Sequence, residues 1–371
     1  MLYPSSLFDG QIHLYILVHR GMSTSQTFQE LNPKYARAPR FYDRFANKLI
    51  RDPRDLAFID LILKSSFLVL PLACFILLKK IHNPWFVFAY IPYLAFALGF
   101  FLGPFILMLH NTCHRPLFRK KYNYLNLYIP WILGPFFGET PETYFAHHVG
   151  MHHPENNLAH DLSSTLKYRR DSFLDFMRYF SRFFFLSFFE LPTYFIRQRR
   201  YKLFVKSIVG EVTFYLMVAL LCMWNWMGAV CVFVLPFLVA RFMMMNGNWA
   251  QHAFVDPLDV ENSYKNSITC VNSTYNRRCF NDGYHTVHHL KPTAHWLEMP
   301  QHFFHNREIY AQNDAIVFEK IDYFVIWIFL MLKKYDWLEK YFVDVSDKRR
   351  SSEEIIALLK SRTRSLLIAS A

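Results

Sequence analysis

The run Pro84–Leu109 contains 26 residues without an Asp, Glu, Lys or Arg, and it decides what kind of fold this chain can adopt. A helix of that length crosses the roughly 30 Å hydrocarbon core of a bilayer at about 1.5 Å per residue. Three similar runs accompany it. Phe58–Leu78 carries charge only at Asp60 and Lys64, both near its start. Ser207–Met227 and Gly228–Gly247 are joined by little more than Trp224-Asn225-Trp226, which reads as the aromatic-anchored turn of a helical hairpin. With 53% hydrophobic and only 19% charged residues, the expected fold is all-α and integral to the membrane: four transmembrane helices in two hairpins, with interfacial helices and a histidine-rich cytosolic cap.

Between and after these runs the chain changes character. Leu125–Gly138 is apolar but only about fourteen residues long and holds Pro130, Gly134 and Pro135, so a re-entrant or surface-lying segment is expected. Ser172–Phe195 is rich in Phe but interrupted by Asp175, Arg178, Arg182 and Glu190, the pattern of a helix lying in the membrane plane. Tyr323–Leu332 should pack on the membrane face, and the charged tail from Asp344 should be solvated. The expected organisation is a basic cytosolic lead-in over 1–56, a membrane domain over 57–312, and a membrane-associated segment with a charged tail over 313–371.

The net charge of +12 is unevenly placed. Eight Lys and Arg precede the first span, and more follow between His110 and Lys206, including Arg197, Arg199, Arg200 and Lys202. The positive-inside rule puts both segments, and by parity the C-terminal tail, in the cytoplasm; Lys79 and Lys80 count slightly against this. A nucleic-acid partner is not expected, because the charges border apolar spans and form no aromatic-interleaved motif. Ile12–Val18, interrupted by His13, is too short for a secretory core. The six cysteines form no C-x-x-C pair, which suits a reducing compartment. The sequon Asn272-Ser273-Thr274 falls on the cytosolic side and should stay unmodified.

Fourteen of the 17 histidines lie in residues 110–160 and 252–305, with none in the 91 residues between. The second hairpin separates these windows, so parity returns both to one side of the membrane. His110 and His114 form H-x3-H where the second span ends. His148, His152 and His153 form H-x3-H-H; His285, His288 and His289 form H-x2-H-H; His252 follows the fourth span one turn after Asn248. Helical spacing of this kind stacks imidazoles on one face, as metal ligation requires. Crowded imidazoles without a metal would leave buried polar atoms unsatisfied. His13, His19 and His82 read instead as interfacial residues, and His147, His160, His295, His302 and His305 as outer-sphere, surface or substrate-head contacts.

Cysteine is absent from these sets apart from Cys113, which disfavours structural zinc. Nine imidazoles exceed the needs of one zinc and suit two ions with open coordination positions. The Glu-x-x-His pattern of soluble di-iron bundles is absent from the spans. Two O2-activating irons fit best, with zinc second.

These boxes, in this order and with a hydrophobic hairpin between the second and third, resemble those of the membrane fatty acid desaturases and hydroxylases over about residues 55–310. The resemblance implies two Fe ions as cofactor, bound by His110, His114, His148, His152, His153, His285, His288 and His289, which use O2 and two electrons to attack an unactivated C–H bond. His252 is similar to an additional histidine after the fourth span of acyl-CoA desaturases and alkane monooxygenases. Asn248 is similar to an asparagine that reaches a metal through water. The middle box is closer to the alkane monooxygenase pattern, whereas Leu290-Lys291-Pro292 continues as in desaturases.

The implied function is an O2-dependent desaturase acting on a fatty acyl lipid or acyl thioester. The alternative is an alkane or fatty acyl hydroxylase of the same superfamily, and a more distant one a non-enzymatic metal-binding membrane receptor or transporter. No His-Pro-Gly-Gly segment of a fused cytochrome domain is present, so a separate donor (b-type cytochrome or ferredoxin-like) should supply electrons to the basic face. An endoplasmic reticulum membrane with the site facing the cytosol is the expected location. Phe96, Phe100 and Phe101 of the second span are candidates for lining a substrate tunnel or for plain packing. Glu211 and Arg241, near the cytosolic ends of adjacent spans, could pair at matched depth.

Overall fold

The computed structural model describes residues 38–79, 86–346, 348 and 350–366. The expectations for Ile12–Val18, His13, His19, His82 and Lys80, and for most of the basic lead-in, lie outside the described residues. The helices that build the site are α1 (Pro53–Lys79), α2 (Phe88–His114), α3 (Thr143–His147), α4 (Phe173–Arg197), α5 (Tyr201–Ala229), α6 (Leu235–Gln251), α7 (His285–Leu290), α8 (Tyr323–Met331) and α9 (Ser352–Arg362). Two three-residue strands, β1 (Thr269–Val271) and β2 (Val317–Glu319), pair in parallel with Thr269 opposite Val317.

Three helical runs among the described residues are long and apolar enough to cross a membrane: α1, α2 and the 51-residue stretch Tyr201–Gln251. In hydrocarbon each backbone N–H must find its carbonyl within the segment, so apolar runs of this length become helices. Their outer faces present exposed Phe67, Phe75, Leu78, Leu216, Leu220 and Met223, as lipid-facing side chains should.

The third run does not continue straight. Thirty helical residues would put Glu211 and Arg241 about 45 Å apart, yet the two meet at 2.5 Å and the Phe214 and Phe237 rings stack at 5.4 Å. The chain reverses at Asn225, whose φ of −152° and ψ of 86° are not helical. Asn225 Nδ2 donates to the carbonyls of Ile76 and Leu77 at 3.1 and 2.9 Å, and its Oδ1 accepts from the Gly228 N–H at 3.1 Å. One side chain therefore shapes the turn and ties it to the end of α1.

Lys120–Phe137 is a succession of 3-10 and π turns that buries Ile129, Leu133 and Phe137. It leads to Gly138 (φ +76°), where a Cβ would stand 2.2 Å from the Pro236 carbonyl oxygen; a Cβ on Gly210 would stand 1.6 Å from that of Pro141. These two close approaches wedge Glu139–Pro141 against both α5 and α6. Ser172 caps α4 by accepting from the Asp175 N–H, and Phe176 of α4 packs edge-on against Trp249 of α6 and Trp327 of α8.

The tail departs from expectation. Rather than lying in solvent throughout, α9 begins in a Ser351–Glu354 capping box and buries Ile355, Leu359 and Arg362. Arg170, fully buried, donates to the carbonyls of Thr165, Leu166, Tyr168, Ala253, Arg362 and Arg364. Its guanidinium offers five N–H donors in a rigid fork, and six carbonyls from three segments surround it.

Candidate metal centre

The two histidine windows converge at the ends of α2 and α6. Five imidazoles, His110, His114, His148, His153 and His288, each place a ligand atom within 4.8 Å of the others; His152, His252, His285 and His289 do the same in a second set. All nine sequence-predicted histidines are brought together, divided five and four. The sets adjoin, with the His153 and His289 rings 5.0 Å apart.

In each set the Nε2 atoms point at one another. His110 and His153 Nε2 lie 2.8 Å from His288 Nε2, and His148 Nε2 lies 3.1 Å from His153 Nε2. In the second set, His285 Nε2 is 3.0 Å from His289 Nε2 and 3.3 Å from His252 Nε2. The Nδ1 atoms of three rings are engaged on the outside. His152 Nδ1 meets Asp161 Oδ2 at 2.6 Å, His252 Nδ1 meets the Asn266 carbonyl at 2.7 Å, and His110 Nδ1 meets Asp282 Oδ1 at 3.3 Å. A ring that donates from Nδ1 keeps its Nε2 lone pair for a metal.

Burial disfavours the charged form of most of these rings. It pushes the imidazoles of His148, His153, His285, His288 and His289 far below the usual histidine range, their neighbouring imidazoles adding to the effect, and His252 down to about 3. Burial alone would raise Asp161, but the charge and hydrogen bond of His152, with the Ser163 hydroxyl, hold it at about 2. The buried Nε2 atoms of His114 and His152 have no hydrogen-bond partner. Converging imidazole nitrogens, with carboxylates behind His152 and His110, fit a pair of divalent cations, and iron is among the transition metals that imidazole donors suit.

The middle box owes its division to local backbone. His148–His152 forms a π turn, which closes i→i+5 hydrogen bonds and carries His148 and His153 to one set and His152 to the other. Asn248 does not face either set through its amide nitrogen, which donates to the Ser163 carbonyl at 3.0 Å and the Tyr179 hydroxyl at 2.7 Å. His147 is in neither set, and His160 is exposed. His295 joins Asp52 and Asp55 in a third group. There Arg54 and Arg115 neutralise Asp52, and Trp296 Nε1 donates to Asp55 at 3.1 Å, so the group ties the start of α1 to the loop after α7.

A cavity of about 520 Å3 opens from His110, His148, His152 and His285. Leu98, Leu102 and Leu107 of α2, with Leu191 and Met244, line it. Phe96, Phe100 and Phe101 do not. The helix face that holds Leu98 and Leu102 turns inward, Phe100 is exposed, and Phe101 packs in the core. Glu211 and Arg241 also line the cavity and pair, with Thr140 donating to the same Glu211 oxygen at 2.9 Å and the Phe183 and Phe237 rings flanking the guanidinium.

Sequence reasoning missed Asp161, Asp282, the Asn266 carbonyl and Glu139. The signal available was a carboxylate just outside two of the three boxes: Asp161 follows the middle one in an Asn-rich loop, and Asp282 precedes His285. The fatty acid desaturase family model matches residues 83–320, more than half of the chain and every histidine of both sets. No curated protein and no solved structure matches the chain.

Proposed function

The chain belongs to the fatty acid desaturase family, and on that premise we propose that it is an O2-dependent di-iron desaturase that introduces a double bond into the acyl chain of a lipid or acyl thioester. The observation that carries the proposal is the pair of convergent imidazole sets opening onto a cavity lined by membrane helices. His110, His114, His148, His153 and His288 would hold one iron and His152, His252, His285 and His289 the other. Bound there, the two irons would supply the oxidising power to remove hydrogen from an unactivated C–H bond.

The remaining work falls to the protein. Asp161, Asp282 and the Asn266 carbonyl hold His152, His110 and His252 in the tautomer that faces inward. Leu98, Leu102, Leu107 and Leu191 grip an apolar chain and exclude water from the reacting carbon. Asn248 would support the second set through a water on its carbonyl side. In this reading 57–312 is the membrane domain, with α5 and α6 crossing separately to give four spans. Both sets then face the cytosol of the endoplasmic reticulum, where a separate b-type cytochrome or ferredoxin-like donor docks on the basic face.

A hydroxylase is the second reading, favoured by the H-x3-H-H spacing of His148, His152 and His153. Expression in a host that supplies its own reductase, followed by profiling of total acyl chains, tests both. New unsaturated species support the first reading and new hydroxylated species the second, while an unchanged profile with no iron in the purified protein refutes both.

A further inference from the structure

A second cavity, of about 400 Å3, opens where the residues before α4, those after α8 and the end of α9 meet, and it shares no lining residue with the cavity at the histidines. Its walls carry four cations, Arg169, Lys333, Lys360 and Arg364, against one carboxylate, Asp171. Two hydroxyls, of Tyr335 and Thr363, complete the lining, and their contacts draw the charged groups together. The Tyr335 hydroxyl lies 3.0 Å from Asp171 Oδ2 and 2.8 Å from Thr363 Oγ1, while the Lys360 ammonium stands 5.5 Å from the centre of the Tyr335 ring. Arg169 Nη2 reaches the other Asp171 oxygen at 3.4 Å. Lys333 precedes Tyr335 by two residues, and Arg364 follows Thr363 directly.

This charge is not balanced from within. Asp171 is engaged by Arg169 and the Tyr335 hydroxyl, and among the described residues no carboxylate pairs with Lys333, Lys360 or Arg364. The neighbouring Asp175 is taken by Arg178 at 2.9 Å. Arg170 adds a buried cation next to the wall, and its partners are carbonyls, two of them on Arg362 and Arg364. An anion in the cavity would relieve this repulsion. A terminal phosphate fits best, because its three oxygens can accept from cations that arrive on three separate chain segments. The border of the cavity indicates the source of that phosphate. Phe173 and Leu174 follow Asp171 closely, Leu332 precedes Lys333, Trp337 follows Tyr335, and all four are exposed. Exposed apolar side chains that include a Trp, bordering clustered Lys and Arg, mark a surface set at the headgroup level of a bilayer.

We infer that this cavity binds the terminal phosphate of an anionic lipid, which joins the end of α9 to the residues before α4. Full-length protein in a neutral detergent tests this by titrating three probes against thermal unfolding. The probes are dihexanoyl phosphatidic acid, dihexanoyl phosphatidylcholine, whose phosphate is capped by a cation, and glycerol 3-phosphate, which lacks the chains. Phosphatidic acid should bind about tenfold tighter than either of the others. Lys360→Gln and Arg364→Gln, at exposed positions, should each weaken it about fivefold and leave phosphatidylcholine unaffected. Lys333→Gln, on a different segment, should do the same, so the result does not hang on α9 staying folded. Equal affinity for the two lipids, or variants that bind phosphatidic acid like the parent, overturns the inference. Glycerol 3-phosphate binding as tightly as phosphatidic acid would overturn the lipid as occupant. The readout needs neither metal nor turnover, so it stands or falls apart from the proposed oxidation chemistry.

Discussion

Asp161 meets His152 Nδ1 at 2.6 Å and so fixes which nitrogen of that ring is turned toward its three partner imidazoles. Asp161 also accepts from the backbone N–H groups of Asn157 and Ser163, which holds the carboxylate itself in place. Asp161→Asn keeps the shape but loses the charge and lets the amide present either a donor or an acceptor to the ring. Metal affinity should fall about 10–100-fold while the protein remains folded. Titrating iron into the apo variant, with thermal unfolding alongside, checks this; unchanged affinity would remove Asp161 from the site.

The five-and-four division predicts two families of variants. His114→Ala should lose the metal of the first set and His289→Ala that of the second, each leaving about one iron per chain by elemental analysis. If both variants lost every metal together, the two sets would be one cooperative site.

Arg241 and Glu211 form an ion pair within the bundle. Arg241→Ala leaves the carboxylate buried and uncompensated and should destabilise the protein by about 3–5 kcal/mol. The double variant Arg241→Leu/Glu211→Leu should recover much of that loss, as read from unfolding in detergent. A single variant as stable as the parent would show that water reaches Glu211.

Glu139 carries a pH signature. Burial raises its folded pKa to about 7, above the ordinary glutamate value of 4.5, so between those values the folded state binds the extra proton and stability falls as pH rises. Above about pH 7 the loss should be complete, on the order of 1–3 kcal/mol. Glu139→Gln should flatten this slope and raise the melting temperature at alkaline pH; a slope identical to that of the parent would reject the assignment.

Much of this architecture was legible in the chain, for reasons that differ from element to element. Apolar runs announce membrane helices because the bilayer imposes length and the absence of charge, and the Trp224-Asn225-Trp226 turn stood out between two of them. The nine histidines were visible through their spacing. Their division was not, because the middle and third boxes each send residues to both sets and only tertiary placement decides which. Asp161 and Asp282 lie in irregular loops where no periodicity marks them. The burial of α9 is hard to read from the chain because charged residues bracket a short apolar run, of which Ile355 and Leu359 are buried while Ile356 and Leu358 pack only partly against the core.

Arg170 predicts a dependence of the core on the end of the chain. Deleting residues from 352 onward removes two of the carbonyls that receive its guanidinium and strands a buried cation. The truncated protein should lose about 3 kcal/mol or more, whereas Arg170→Met in the full chain should cost less. Equal losses in the two would show that the packing of α9, not the cation, dominates.

The π turn at His148–His152 makes the middle box behave like an address. One residue more or less within that turn would rotate every following imidazole and deliver His152 and His153 to the wrong neighbours, although the count of histidines stayed the same. Motif searches that allow the gap to vary would still accept such a chain. Variation in that gap among related proteins is therefore a change of wiring between the two halves of the centre, and chains that share the histidines but differ in the gap need not be interchangeable.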